Sequence, residues 1–400
     1  MAQDVFGNGI SVLDAASEPA VNDFVEGFAS CETRVVNILA AAERDDSVIV
    51  QAYAAALHMF VESPAGPINA RPYLQRALQS KAPATARERQ LARAVAAWAD
   101  SDIGAAIGLH QALSASDPRD LVSVKLGQYH CFNRGDFAGM LRLALPALAA
   151  SPDLPYVHGM AAFAYEQTHQ LRQAEHSARR AIRIKRKEPW AHHALAHVLL
   201  TEGRYEEGLS FLDEVRDTWV DLNSFMYTHN WWHLCLFDIE LGRFDEVLQH
   251  YDRHIWGICK DYSQDQIGAV SLLARLELAG VSVGDRWADL GGYLAARLED
   301  HVLPFLDMQY LYGLARAGRP EADRLMNGIE VHAQRAPADA REAWRSVCVP
   351  ASRGLLAHAR GDYRHAAAQL GIARPRLVEI GGSHAQRDLF ERIYADSLNR

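Results

Sequence analysis

The chain has 400 residues, of which 49% are hydrophobic, and a formal net charge of −9. This acidic balance argues against a general nucleic-acid binder, whose surface is usually basic, and no apolar stretch approaches the roughly 20 residues that a membrane-spanning helix needs. Alanine and leucine are frequent, which favours helices, and five scattered cysteines indicate reduced thiols in a cytoplasmic protein, not a disulfide framework or a paired-cysteine zinc finger.

The first 86 residues are predicted to form an N-terminal helical region. They do not begin with a basic segment followed by an apolar core, so no secretory signal is expected. The stretch "ESPAGPINARP" (62–72) contains three prolines and a glycine. It is therefore predicted to be a loop inside this region.

A spacing of 34 residues organises the chain from 87 to 222. Gly135 and Gly203 lie two such periods apart, and each is followed two residues later by an aromatic residue, Phe137 or Tyr205. Each unit in this frame is predicted to be two helices joined by a short turn and ended by a polar or proline break. The four units are 87–120, 121–154, 155–188 and 189–222.

Residues 223–400 are predicted to contain further, degenerate helical repeats in one continuous array. One unit begins at Thr228, with Gly242 and Phe244 in its turn. It is out of phase with the preceding frame, so an insertion is expected near "RDTWVDLNSF". Ser383 is predicted to be the N-cap of a last helix that closes the array, since repeat proteins need a special terminal unit.

The repeating units resemble the tetratricopeptide repeat. Ala94, Ala162 and Ala196 match its small-residue position, and Tyr165 matches an aromatic one. Longer segments, among them "AHHALAHVLLTEGRYEEGLSFL", "THNWWHLCLFDIELGRFDEVLQHYDRHI" and "EIGGSHAQRDLFERI", resemble the tetratricopeptide repeat protein 38 family. The resemblance implies an all-α, right-handed superhelix of helix hairpins (an α-solenoid) with a partly enclosed concave cavity and a cytoplasmic location. It implies no particular reaction.

The resemblance also implies which side chains line the concave wall, because fixed positions in the first helix of each repeat face inward. These positions hold His193, His197 and His229, whereas His192 and His233 should face neighbouring helices, with His233 supporting the site. Aromatic residues and one acid share the predicted inner wall: Tyr129, Tyr156, Phe163, Glu166, Trp190 and Trp232.

A metal site is one interpretation of the histidines. His193 and His197, like His229 and His233, are four residues apart, so each pair shares one helical face. Such pairs bind metal in H-E-x-x-H enzymes, but "HALAH" lacks the glutamate, and a third ligand would have to come from His229 or Asp307. The sequence therefore favours a site without metal.

Acid–base catalysis of the hydrolase or lyase type is the other interpretation, since imidazole exchanges protons near neutral pH. Glu166, Asp307 and Asp388 are candidate partners that would fix a tautomer, and Gln309 would add amide hydrogen bonds beside Asp307. Arg387 is either a clamp for a carboxylate or phosphate or the partner of Asp388 in an ion pair that holds the last helix in place.

The sequence favours a small-molecule-binding protein over a scaffold that binds a partner peptide. A wall rich in histidine and aromatic residues suits a small-molecule pocket, whereas peptide-binding repeats usually present Lys, Arg and Asn. No nucleotide-binding or nucleophile-elbow motif is present, so no cofactor is expected. The sequence leaves open whether the protein catalyses a reaction and whether it forms a homodimer.

Overall fold

The computed structural model describes residues 2–400, and over this range the protein is all-α apart from one short strand pair. β1 (Ala2–Gln3) pairs antiparallel with β2 (Gly9–Ile10), with Ala2 opposite Ile10. The helices as far as residue 201 are α1 (Glu18–Ser30), α2 (Asn37–Ala42), α3 (Val48–Met59), α4 (Ala65–Gln79), α5 (Ala86–Ala99), α6 (Ile103–Ser116), α7 (Leu121–Asn133), α8 (Phe137–Ala150), α9 (Pro155–Gln167), α10 (Leu171–Ile184) and α11 (Pro189–Thr201).

The remaining helices continue the same pattern of consecutive pairs. They are α12 (Tyr205–Val215), α13 (Ser224–Glu240), α14 (Phe244–His250), α15 (Ser263–Leu278), α16 (Arg286–Leu294), α17 (Pro304–Arg316), α18 (Glu321–Arg335), α19 (Arg341–Ala343), α20 (Val349–Ala359), α21 (Tyr363–Ala373) and α22 (His384–Asn399). Short 3₁₀ segments lie at Ala15–Ser17, Thr33–Val36, Arg216–Thr218, Ala295–Arg297 and Arg374–Ile380, and π-helical turns at Tyr251–Ile255 and Trp344–Cys348. Neighbouring helices pack as hairpins, for example α5 with α6 and α9 with α10.

The helices group into two compact units. The first unit comprises the chain up to Phe132, Asp136–Val198 and Val215–Met226; the second comprises Asn133–Gly135, Leu199–Glu214 and Tyr227–Arg400. The division therefore passes through several helices, including α11 and α13. The boundaries at 86 and 222 that the 34-residue frame suggests remain a prediction about repeat organisation.

Three-residue turns with one left-handed residue join the two helices of each hairpin from α5 to α12. Gly135 and Gly203 have φ values of +69° and +70°, and the same conformation occurs at Ser101 (+62°) and His169 (+56°). Successive members of this series differ by 34 positions, although only two are glycine, the residue that adopts this conformation without a steric penalty. After Ser101 and Gly135 an aspartate caps the second helix: the Asp102 side chain accepts a hydrogen bond from the backbone at the start of α6, and Asp136 does the same for α8.

The stretch predicted to be a loop at 62–72 is mostly helix, so that prediction is wrong. The chain is irregular only as far as Pro64, and α4 runs through Pro67 and Pro72. Pro67 is in the first turn, where a backbone N–H has no intrahelical partner to lose. Pro72 costs one hydrogen bond, but α4 packs closely on α3 through small and apolar residues, and this packing outweighs the local penalty.

An ion pair is buried in the first unit. Arg87 at the start of α5 donates to Asp120 at 2.7 Å and to the carbonyl of Gly9 in β2 at 2.9 Å. Asp120 also accepts from the backbone N–H of Ser123 in the first turn of α7. The pair thus ties the strand, α5 and α7 together, and both side chains are almost fully buried.

Helix α17 forms the centre of the second unit. It packs against α15, α16, α18 and α20, and every residue from Pro304 to Leu314 is buried. Close packing elsewhere in this unit depends on small residues, since a Cβ at Gly208 of α12 would overlap the ring of Phe237 on α13. The last helix, α22, packs on α15 and α21.

The N-cap predicted for the last helix is confirmed. The Ser383 side chain accepts from the backbone N–H of Gln386, and the Gln386 side-chain oxygen accepts from the Ser383 N–H, which makes a complete capping box. None of the helices within residues 2–400 combines the length and apolarity that crossing a membrane requires.

Candidate functional site

Helix α11 carries the first histidine pair, and a buried glutamate fixes where the helix begins. Glu188 accepts hydrogen bonds from the backbone at the start of α11, including one from Ala191 to its carboxylate. Gly159 on α9 leaves room for this carboxylate, because a Cβ there would lie 2.8 Å from Glu188 Oε2. Burial raises the pKa of Glu188 to about 7. Sequence reasoning missed this residue, although an acid just before a helix is a recognisable capping signal.

The two imidazoles of the pair meet edge to face. Nε2 of His193 lies 3.1 Å from Nε2 of His197, and the ring planes are inclined by 82°. Both side chains are buried, with 2% and 1% of their surfaces exposed. In the neutral pair one Nε2 donates and the other accepts, so the two rings carry different tautomers.

A buried carboxylate lies next to the His197 ring. Oε2 of Glu166, on α9, lies 3.7 Å from Nδ1 of His197, which is within ion-pair range but long for a direct hydrogen bond. Glu166 is fully buried and also accepts a hydrogen bond from the amide of Gln167. The three groups therefore run in the order Glu166, His197, His193 within the first unit.

Aromatic rings enclose this pair. The Phe163 ring centroid lies 4.8 Å from that of His193 and 5.5 Å from that of His197, and Trp190 stacks on His193 at 4.8 Å. The Lys125 ammonium lies 5.0 Å above Trp190. Of the residues predicted for the site, the first unit thus brings together Phe163, Glu166, Trp190 and the two histidines.

The histidine adjacent to the pair has a packing role, as predicted. His192 is fully buried, its Nδ1 accepts from the Trp219 indole at 3.2 Å, and its Nε2 donates to the Arg186 carbonyl at 2.8 Å. Both ring nitrogens are therefore used by the surrounding structure. Burial lowers the pKa of His192 to about 4, so its ring is neutral at physiological pH.

Two tyrosines predicted for the concave wall form hydrogen bonds with other residues of the first unit. Tyr129 donates to Glu62 at 2.8 Å. Tyr156 donates to Glu26 at 2.8 Å and accepts from Lys185 at 2.6 Å. Burial, with the nearby Glu26 charge, raises the pKa of Tyr156. These hydroxyls therefore bind carboxylates from the N-terminal region, Glu62 between α3 and α4 and Glu26 in α1.

The second histidine pair lies on α13, in the second unit. His229 stacks on Trp232 with ring centroids 5.2 Å apart, and His233 meets His229 edge to face at 4.9 Å. Both histidines are buried. Burial lowers the pKa of His229 to about 3, which leaves its ring neutral over the physiological range.

Asp307 in α17 has a histidine partner that sequence reasoning missed. Its Oδ2 lies 2.5 Å from Nδ1 of His301, in the segment before the helix. Burial raises the pKa of Asp307 to about 6, although the hydrogen bond opposes this. The pKa of His301 is raised as well, because the contact with Asp307 outweighs burial. The sequence signal was only a histidine six positions before the acid. Gln309 is buried on the same helix.

Arg387 and Asp388 lie in the first turns of α22. Asp388 accepts from Arg275 of α15 at 2.7 Å and from Arg392 at 2.6 Å. Arg387 donates to the Gly382 carbonyl and approaches His384. The ion pairs of Asp388 therefore include one that joins α22 to α15.

The thiol near the second pair is not activated. Cys235 is fully buried, and burial raises its pKa well above the ordinary value for cysteine. A reactive cysteine needs the opposite shift.

Comparison with known proteins adds little to this description. No known family profile matches the sequence. Among solved structures, a chain in the structure of Naa15/Naa10 bound to HypK-THB is similar over 90% of this chain, with 14% identity and a TM-score of 0.28. This chain spans 64% of the length of that one.

Proposed function

We propose that the protein binds a small molecule at the His193–His197 pair and that the imidazoles exchange protons with it. One observation carries the proposal: the buried Glu166 carboxylate faces Nδ1 of His197, and Nε2 of His197 lies 3.1 Å from Nε2 of His193. A base oriented by a carboxylate is the usual arrangement for histidine acid–base chemistry.

Glu166 can compensate a positive charge on the His197 imidazole. When His197 takes up a proton, the positive charge lies 3.7 Å from the Glu166 carboxylate, in surroundings from which water is excluded. The Nε2 contact then passes the proton to or from His193. Phe163 and Trp190 supply apolar surface for the organic part of a ligand.

The wider proposal includes what the sequence suggests about the rest of the protein. A concave cavity closed by the repeats, and ligand contacts from His229, Trp232, Asp307 and Arg387, remain predictions. Membership of the tetratricopeptide repeat protein 38 family and a cytoplasmic location belong to the proposal too. The location is supported by the five cysteines, none of which forms a disulfide.

A protein-interaction scaffold is the second candidate function. The observation that favours it is the architecture itself, since stacked helix hairpins build extended surfaces that bind partner proteins. This candidate predicts that replacing His193 and His197 leaves partner binding unchanged. The first candidate predicts the loss of a small ligand from the same variant.

Native mass spectrometry after exposure to a cell metabolite extract tests the proposal. The wild type should retain a small molecule, and the double variant His193→Gln, His197→Gln should not. His158→Gln is the matched control, because this histidine lies in the same unit and its Nε2 contacts the Pro152 carbonyl at 2.8 Å, away from the pair. Retention by all three proteins, or by none, contradicts the proposal.

A further inference from the structure

The Nε2 atoms of the first pair have the separation of two ligands on one metal ion. Tetrahedral zinc holds imidazole nitrogens at about 2.0–2.1 Å, which puts two ligands roughly 3.3 Å apart. His193 and His197 hold theirs 3.1 Å apart. At such bond lengths this separation corresponds to an angle at the metal of about 98°, close to tetrahedral.

We propose that His193 and His197 bind a divalent transition-metal ion through these two Nε2 atoms. This inference rests on the proposed function because both assign the chemistry to the same two side chains, and it adds a metal ion to that site. Metal and proton compete for the same nitrogens, so the bound ion takes the place of the proton that the neutral pair shares. When bound, the ion would supply a Lewis acid next to the small molecule.

The environment of His197 supports ligation through Nε2. Metal-binding histidines almost always direct the other ring nitrogen to a carboxylate or carbonyl, which sets the tautomer. Nδ1 of His197 faces Oε2 of Glu166 at 3.7 Å. The hydrogen of this ring therefore belongs on Nδ1 in the loaded state, and Nε2 keeps its lone pair for the ion.

The donor set and its surroundings indicate which ion would bind. Zinc, copper, nickel and iron ions bind well to neutral imidazole, whereas magnesium and calcium ions prefer oxygen ligands. Phe163 and Trp190 pack against His193, which limits the access of competing water. The adjacent His192 is no competing ligand, since both of its nitrogens already have partners.

Two imidazoles fill half of a tetrahedral shell. Water, the small molecule or further side chains must fill the other half. His229 and His233 repeat the four-residue spacing on α13 and are also buried. Counting the imidazoles on the ion is therefore part of the test.

Metal binding is measured on protein freed of its affinity tag and stripped with a chelator. Equilibrium dialysis against zinc should give about one equivalent per chain in the wild type and in His158→Ala. The double variant His193→Ala, His197→Ala should lose it. Glu166→Gln should bind zinc about 10–100-fold more weakly, because the carboxylate no longer orients the ligand.

X-ray absorption of the zinc-loaded wild type keeps the inference testable if the variants fail to fold. Two or more imidazole neighbours support it. Fewer than two imidazoles, no stoichiometric zinc, or equal zinc binding by the double variant would overturn it.

The two proposals fail separately. If stripped protein still captures the small molecule from the extract while zinc uptake is absent, the metal inference is wrong and the proposed function stands. If zinc binds stoichiometrically and no small molecule is captured with or without it, the proposed function is wrong instead.

Discussion

A buried histidine in the first unit should make the protein sensitive to acid. His110 on α6 is fully buried, and its Nδ1 is 2.8 Å from the Ser123 hydroxyl on α7. Burial lowers its pKa to about 3, against 6.5 for the unperturbed group. Between these values the unfolded chain binds a proton that the folded protein does not, so stability is complete above pH 6.5 and is lost as the pH falls.

The size of this loss follows from the two pKa values. At pH 5 the proton on the unfolded histidine favours unfolding by about 2 kcal/mol, and at pH 7.5 the term nearly vanishes. His110→Gln removes the titrating group and keeps a polar side chain near Ser123. The fall in unfolding free energy from pH 7.5 to 5.0 should therefore be about 2 kcal/mol smaller in this variant.

Urea unfolding followed by circular dichroism at the two pH values measures the difference. His365→Gln, at an exposed position on α21, is the control for removing a histidine and should leave the pH-dependent loss as in the wild type. Equal losses for the wild type and His110→Gln would show that His110 does not stay neutral in the folded protein, and the reasoning from burial would fail.

Three further substitutions test the fold. Ser383→Ala should destabilise the protein by about 1 kcal/mol in urea unfolding, because it removes the N-cap of α22. Gly208→Ala should cost about 1–3 kcal/mol in the same assay, since its Cβ would overlap the Phe237 ring. Arg87→Met should cost about 3–5 kcal/mol, because Asp120 keeps a buried charge without its partner; a thermal midpoint unchanged in this variant would contradict that account.

The hairpin turns show how much of the fold the sequence carries. Gly135 and Gly203 revealed the 34-residue spacing because glycine favours the left-handed turn. Ser101 and His169 adopt the same conformation at the other two positions of the series, without the conformational freedom of glycine. Packing of the flanking helices imposes the turn there, and such tertiary constraints leave no signature in a short stretch of sequence.

The tyrosines show where prediction from the repeat frame stops. The frame assigned Tyr129 and Tyr156 to the inner wall by counting along the first helix of each unit. It could not find their hydroxyl partners, Glu62 and Glu26, because these lie before residue 87, where no 34-residue register exists. The contact between His301 and Asp307 was not predicted for a similar reason, since His301 lies outside a helix and follows no periodicity.

The neighbouring residues His192 and His193 show what helical periodicity does decide. Successive side chains on a helix point about 100° apart, so two adjacent histidines meet different surroundings. His192 turns both nitrogens to packing partners, a carbonyl and an indole. His193 turns Nε2 toward His197, one helical turn later. The residue type is the same, and the direction that the helix gives each side chain decides that His192 contacts a carbonyl and an indole while His193 contacts a second imidazole.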